Sequence, residues 1–150
     1  AGLIAPYVSD GNGKMQYLCK RYPSLWVLFL RGFTPEWIQR RCKKRLEAYI
    51  MKDVINADQI FWDPPIVSGC FMLFRTDVLK SLGGFDPNFF LYFEDFDLSL
   101  RASRLTRLAY VPTVRIIHFG GYASEKGLRH ILYFFRSALR FFTIHGWKLL

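Results

Sequence analysis

The chain has 150 residues, enough for one domain of ordinary size, and its 51% hydrophobic content with 18% aromatic residues excludes a disordered chain. No apolar run approaches the roughly 20 residues of a spanning helix. The net charge of +9 points to an anionic partner, which could be nucleic acid, a membrane surface or a phosphorylated substrate.

The start, Ala1-Gly2-Leu3-Ile4-Ala5-Pro6, has neither the basic region nor the apolar core of a signal peptide. It reads as the middle of a longer protein, entered at a strand. Cys19, Cys42 and Cys70 are odd in number and lack zinc-site spacing, so reduced thiols in a cytoplasmic setting are expected.

Residues 3–8 are predicted as a short buried strand, with Pro6 restricting it to an edge or a strand end. Ser9 to Gly13 form a turn. Lys20 to Arg31 mixes basic and aromatic residues and gives no firm assignment. Thr34-Pro35-Glu36 predicts a helix capped by Thr34 and running to about residue 52. It carries Arg40-Arg41-Cys42-Lys43-Lys44-Arg45, five cations in six positions. These form either a solvated face or a contact for anionic headgroups or a diphosphate. The near-continuous apolar run from Ile66 to Phe74 predicts one buried strand, bent at Gly69. A short helix follows through Leu82, ended by Gly83-Gly84. Another begins near Glu94. Ala109 to Val111, closed by Pro112, and Val114 to Phe119 are expected as two strands, with Gly120-Gly121 after them. From Glu125 to Leu150 the pattern is helical, with Leu128, Ile131, Leu132, Phe135, Leu139 and Phe142 on one face. Alternating strands and helices give an α/β class.

The chemistry concentrates at Phe89-Phe90-Leu91-Tyr92-Phe93-Glu94-Asp95-Phe96-Asp97-Leu98. Carboxylates held close together and walled by aromatics raise one another's pKa. Acidic residues in a first helical turn also complement the helix dipole, which accounts for one or two of them. Three beside five aromatics favour a site. Asp95-Phe96-Asp97 spells a metal-binding D-x-D, but such motifs sit in loops after strands, whereas this one opens a helix. His118, at a strand end before two glycines, is by itself a weak signal.

Residues 66–121 resemble the C-terminal part of the family-two glycosyltransferases, in their rhamnosyltransferase-like branch. The matching blocks are Ser68 to Arg75, Gly83-Gly84-Phe85-Asp86 with Phe89-Phe90, Tyr92 to Arg101, and Tyr110-Val111-Pro112 through His118-Phe119-Gly120-Gly121. Gly2 to Pro6, Asp10-Gly11 and Gln16 look like the segment after that family's metal-binding strand, and Arg21 to Ser24 continue the likeness. The resemblance implies an incomplete GT-A fold, its acceptor-side half over residues 1–121, with residues 122–150 as an amphipathic helical tail. It implies transfer, with inversion, of a sugar from a nucleotide-diphosphate donor to a saccharide or lipid-linked acceptor. Asp95 would be the general base, while Glu94, with Gly69 and Asp97, would hold the acceptor. His118 matches a position that ligates Mn²⁺ or Mg²⁺ in some members. The family's nucleotide-binding half, with its own D-x-D, has no counterpart here. The chain is therefore expected to be a fragment, inactive alone, and peripheral at the inner face of a membrane.

An alternative is a non-catalytic module that meets a membrane surface or a partner through the basic helix and the tail. Nucleic-acid binding is not expected, because the aromatics sit in apolar runs and no recognised motif is present.

Overall fold

The computed structural model describes residues 1–119 and 127–150; the Gly120-Gly121 turn and the boundary at 121/122 lie outside them. The fold is a mixed α/β arrangement. Its centre is a parallel pair, β1 (Leu3–Ser9) beside β7 (Leu108–Ile117). Parallel pairing needs a long crossover, and nearly a hundred residues supply it. β4 (Phe61–Trp62) pairs antiparallel with the far side of β7. The other edge of β1 is shared: β6 (Leu73–Phe74) pairs with Leu3 and Ile4, and β2 (Met15–Gln16) with Val8 and Ser9. A separate two-stranded sheet joins β3 (Cys19–Lys20) to β5 (Ile66–Val67).

Two prolines behave differently from expectation. Pro6 lies inside β1, in the gap between β6 and β2, so that edge requires no N–H from it. The strand predicted to close at Pro112 runs through it instead. Pro6 pairs with Val111 and Tyr7 with Arg115, so Pro112, Thr113 and Val114 form a bulge. The single strand expected over 66–74 is two short ones in different sheets, with the chain turning at Gly69 and Cys70 between them.

α1 (Leu25–Phe33) fills the unassigned stretch, its N-terminus capped by Ser24 Oγ, which accepts from the Val27 N–H at 3.2 Å. Thr34 does not cap the next helix; its hydroxyl donates back to the Leu30 carbonyl at 2.6 Å. The long helix expected to residue 52 is broken at Cys42 into α2 (Glu36–Arg41) and α3 (Lys43–Tyr49). Like charges four apart, Arg40 with Lys44 and Arg41 with Arg45, disfavour continuity there. α4 (Thr76–Leu82) ends as expected on Gly83, at φ 71°. α5 (Glu94–Ser103) and α6 (Gly127–His145) complete the chain.

One core cluster lies against the sheet, around Leu3, Val67, Ala102 and Leu108. A second is aromatic: Phe141 and Phe142 of α6 pack onto Phe89 and Phe93. Among the described side chains, the buried face of α6 therefore coincides with the expected one only at Phe142. Ala138, Phe141 and Phe142 point inward, whereas Ile131, Leu132, Phe135 and Leu139 are exposed; the side chain of Leu128 lies outside those described.

Candidate active site

Asp95 stands in the first turn of α5, launched by a strained approach. Tyr92 and Phe93 both adopt left-handed backbone, at φ 68° and 63°, which non-glycine residues rarely do. Phe93 is also buried in the aromatic cluster, which holds the strained turn in place.

The Asp95 carboxylate is half-buried and gripped at both oxygens. Oδ2 accepts from the Gly69 N–H at 2.7 Å and Oδ1 from the Phe96 N–H at 3.0 Å. Ser99, fully buried one turn on, ties this helix to β5: its Oγ accepts from the Val67 N–H at 3.0 Å and lies 2.7 Å from the Asp95 carbonyl. A strand residue and a helix residue are thereby locked on either side of the carboxylate. Burial pushes the Asp95 carboxyl above its ordinary value, opposed by the Gly69 amide and by the charge of Lys20. Lys20, whose Nζ sits 5.9 Å from the Phe96 ring centroid, is pushed down by burial, with Asp95 opposing. Sequence reasoning missed both Lys20 and Ser99. Ser99 is an isolated polar residue between two leucines and Lys20 one of a basic pair, and only the β3–β5 pairing and α5 bring them to Asp95.

Gly69, expected to hold the acceptor, lies directly against Asp95. A Cβ added there would lie 3.1 Å from the Asp95 Cβ and 3.4 Å from Oδ2, tight enough to displace the carboxylate by a few tenths of an ångström. Glu94 is half-buried. Its Oε2 is shielded from solvent and has no hydrogen-bond partner among the described residues. Burial first, then the charge of Asp95, pushes its carboxyl up.

Asp97 departs from the role expected of it. It is 2% exposed, and its oxygens are taken by Arg101 Nε at 2.7 Å and His145 Nε2 at 2.9 Å. Arg101 also donates to the carbonyls of Leu82 and Gly84. Asp97 is a tie between α5, α6 and the end of α4, shut away from any acceptor.

His118 follows β7, where its N–H donates to the Ser9 carbonyl at 2.9 Å. Its Nδ1 lies 3.1 Å from Gln16 Oε1, and Gln16 Nε2 donates to the His118 carbonyl at 3.0 Å. Donation from Nδ1 leaves the lone pair on Nε2, the form a metal-ligating imidazole takes. Among the described residues, however, no three of His, Cys, Asp and Glu cluster as a metal site. The described residues alone do not compose a metal centre.

No family model and no solved structure matches the chain significantly. Curated proteins do. Over 133 residues, 84% of the chain, it is 27% identical to an N-acetylglucosaminyl-diphospho-decaprenol L-rhamnosyltransferase of Mycobacterium tuberculosis H37Rv. Over 73 residues, 47% of the chain, it is 40% identical to the rhamnosyltransferase WbbL of Escherichia coli K12. The chain is a distant homologue of the family-two rhamnosyltransferases. It spans 40% of the first relative's length and 28% of the second's. This rhamnosyltransferase homologue thus corresponds to part of those enzymes, and within it Gly69 and Asp95 are in direct contact.

Proposed function

We propose that the chain is the acceptor-side part of a GT-A sugar transferase and that Asp95 is its general base. The observation that carries this reading is the geometry of one carboxylate. It is fixed by two backbone amides, half-buried, and raised in pKa by its surroundings. Each carboxylate oxygen has two acceptor directions and gives one to an amide, so each keeps one for an incoming hydroxyl. A base with elevated pKa takes that proton more readily than an ordinary aspartate.

In the reaction, the acceptor O–H gives its proton to Asp95 as its oxygen bonds to the anomeric carbon. The nucleotide diphosphate leaves from the opposite face, and the configuration inverts. Glu94, half-buried with its Oε2 unpartnered among the described residues, can accept a hydrogen bond from a second acceptor hydroxyl. The donor, a nucleotide-diphosphate sugar, belongs to the portion of the relatives that the chain does not match. A divalent metal involving His118 would need ligands from that portion too. The acceptor is a saccharide, lipid-linked as the name of the mycobacterial relative describes.

The test is Asp95→Asn in the complete enzyme, assayed for transfer from a nucleotide sugar to a lipid-linked acceptor. Transfer should fall by about 10²–10⁴, with the circular dichroism spectrum unchanged. Turnover within a few fold of the parent removes Asp95 from the chemistry.

A further inference from the structure

The aromatic residues of α1 are not spent on the core. Trp26, Phe29 and Phe33 are 40%, 48% and 47% exposed and form a ladder of stacked rings, with centroids 5.7 and 6.1 Å apart. The ladder crosses to α6, where Phe135, 54% exposed, lies 5.7 Å from Phe33. Leu132 and Leu139 extend the apolar surface along α6. Between the two helices runs a groove of about 220 Å³ whose lining, including Leu25, Leu28, Phe134 and Ala138, is entirely apolar. An exposed apolar surface on this scale marks a place of contact.

Its chemistry selects the partner. α1 and α6 carry four arginines, Arg31, Arg129, Arg136 and Arg140, and no carboxylate. The chain then passes from Phe33 into α2 and α3, with Trp37 65% exposed and Arg41, Lys43, Lys44 and Arg45 all exposed. An extended peptide segment seated in the groove would bring backbone N–H and C=O groups that no lining residue can satisfy. Arg140 is already paired with Asp86, but a second copy would still bring Arg31, Arg129, Arg136 and the α2–α3 cations to face these ones. Hydrocarbon chains beneath anionic headgroups satisfy both conditions. Tryptophan beside lysine and arginine is also the composition of a helix lying in a membrane interface. Among the described residues no helix is long and apolar enough to cross a membrane, so the contact is in-plane.

We infer that the α1–α6 face is a docking surface for an anionic phospholipid bilayer, with the Trp26–Phe29–Phe33–Phe135 ladder entering the acyl layer and the cations meeting headgroups. The inference goes beyond the transfer reading and does not require it. A lipid-linked acceptor would be met at the surface on which the protein sits.

The experiment is flotation of the chain with vesicles of phosphatidylcholine alone or mixed with phosphatidylglycerol. Binding should be strong to the mixed vesicles, weak to the neutral ones, and reduced by added salt. Replacing Phe29→Ser together with Phe135→Ser should weaken it by about tenfold or more. A second measurement is independent of that variant's folding. In proteins keeping only Trp26 or only Trp62, brominated acyl chains should quench Trp26 and leave Trp62, which lies in the sheet, unquenched. Lack of binding to the mixed vesicles, equal binding to both kinds, or equal quenching of the two tryptophans overturns the inference. So does a self-associated dimer that the serine variant dissolves, which would give the face to a second copy. Asp95→Asn should float like the parent, so loss of transfer and loss of docking are separately readable.

Discussion

Asp95 is positioned by groups that carry no charge. The Gly69 amide holds one oxygen, the Phe96 amide the other, and buried Ser99 pins the helix behind them. A methyl group at position 69 would come within 3.1 Å of the Asp95 Cβ, tighter than ordinary contact. The carboxylate, already held at both ends, must yield by a few tenths of an ångström. Gly69→Ala should therefore lower transfer by about tenfold to a hundredfold, since small misplacements of a reacting group are costly. Stability should move the other way or hardly at all, because alanine restricts the unfolded chain and Gly69 is not in the left-handed region. Steady-state transfer rates and a urea midpoint, measured together, check the split. Unchanged transfer would mean that the Gly69 contact does not set the geometry of the base. Of this site, the sequence reveals the acidic cluster at 94–97, and the resemblance brings Gly69 to it. Lys20 and Ser99 have no local signature, because their function arises from a pairing between distant segments.

Helix α6 is tied to the rest of the fold by polar contacts on either side of Phe141 and Phe142. Near its C-terminus His145 meets Asp97; one turn earlier Arg140 meets Asp86 at 2.8 Å. The Arg140 guanidinium first, and then the Asn88 amide, hold the Asp86 carboxyl down to about 2. An unfolded aspartate titrates near about 3.9. A carboxyl depressed on folding lends stability that is complete above its unfolded pKa and fades as pH falls through the folded value. Arg140→Gln should accordingly be less stable than the parent at pH well above 4, with the gap closing as pH approaches about 2. Urea midpoints across that range check it; a gap constant with pH would assign the loss to the Arg140 guanidinium lying over the Phe89 ring, 5.4 Å from its centroid. The elements legible in the sequence are those with local signals. α4 has its glycine stop and α5 its acidic first turn. The run over 66–74 and the inward face of α6 were not legible, since their partners decide them. An apolar run does not say that its two halves enter different sheets. Adjacent Phe141 and Phe142 fit more than one helical face, and only Phe93 in the partner element selects between them.

At the scale of the molecule, the sequence divides into a sheet-bearing part and a helical tail, whereas the structure makes the tail a wall of the site. Phe141 and Phe142 are buried to 0% and 1% exposure, and Phe93, whose strained turn launches α5, packs against both. Backbone bonds close the circuit: the N–H groups of Leu25 and Trp26 donate to the carbonyls of Lys148 and Leu149, binding the chain's last residues to the start of α1. Burying two phenylalanines is worth about 3–6 kcal/mol. That is a large share of the roughly 5–15 kcal/mol that stabilises an ordinary domain. Ending the chain at residue 126 should thus do more than remove an appendage. It would strip the cover from Phe89 and Phe93, leave buried Asp97 without His145, and release the turn that aims Asp95. The shortened protein should bind a hydrophobic dye and lose the sharp urea transition of the whole chain. If it instead unfolds cooperatively at the parental midpoint, α6 is a separable tail, and the fixed geometry of Asp95 must come from the β5–α5 contact alone.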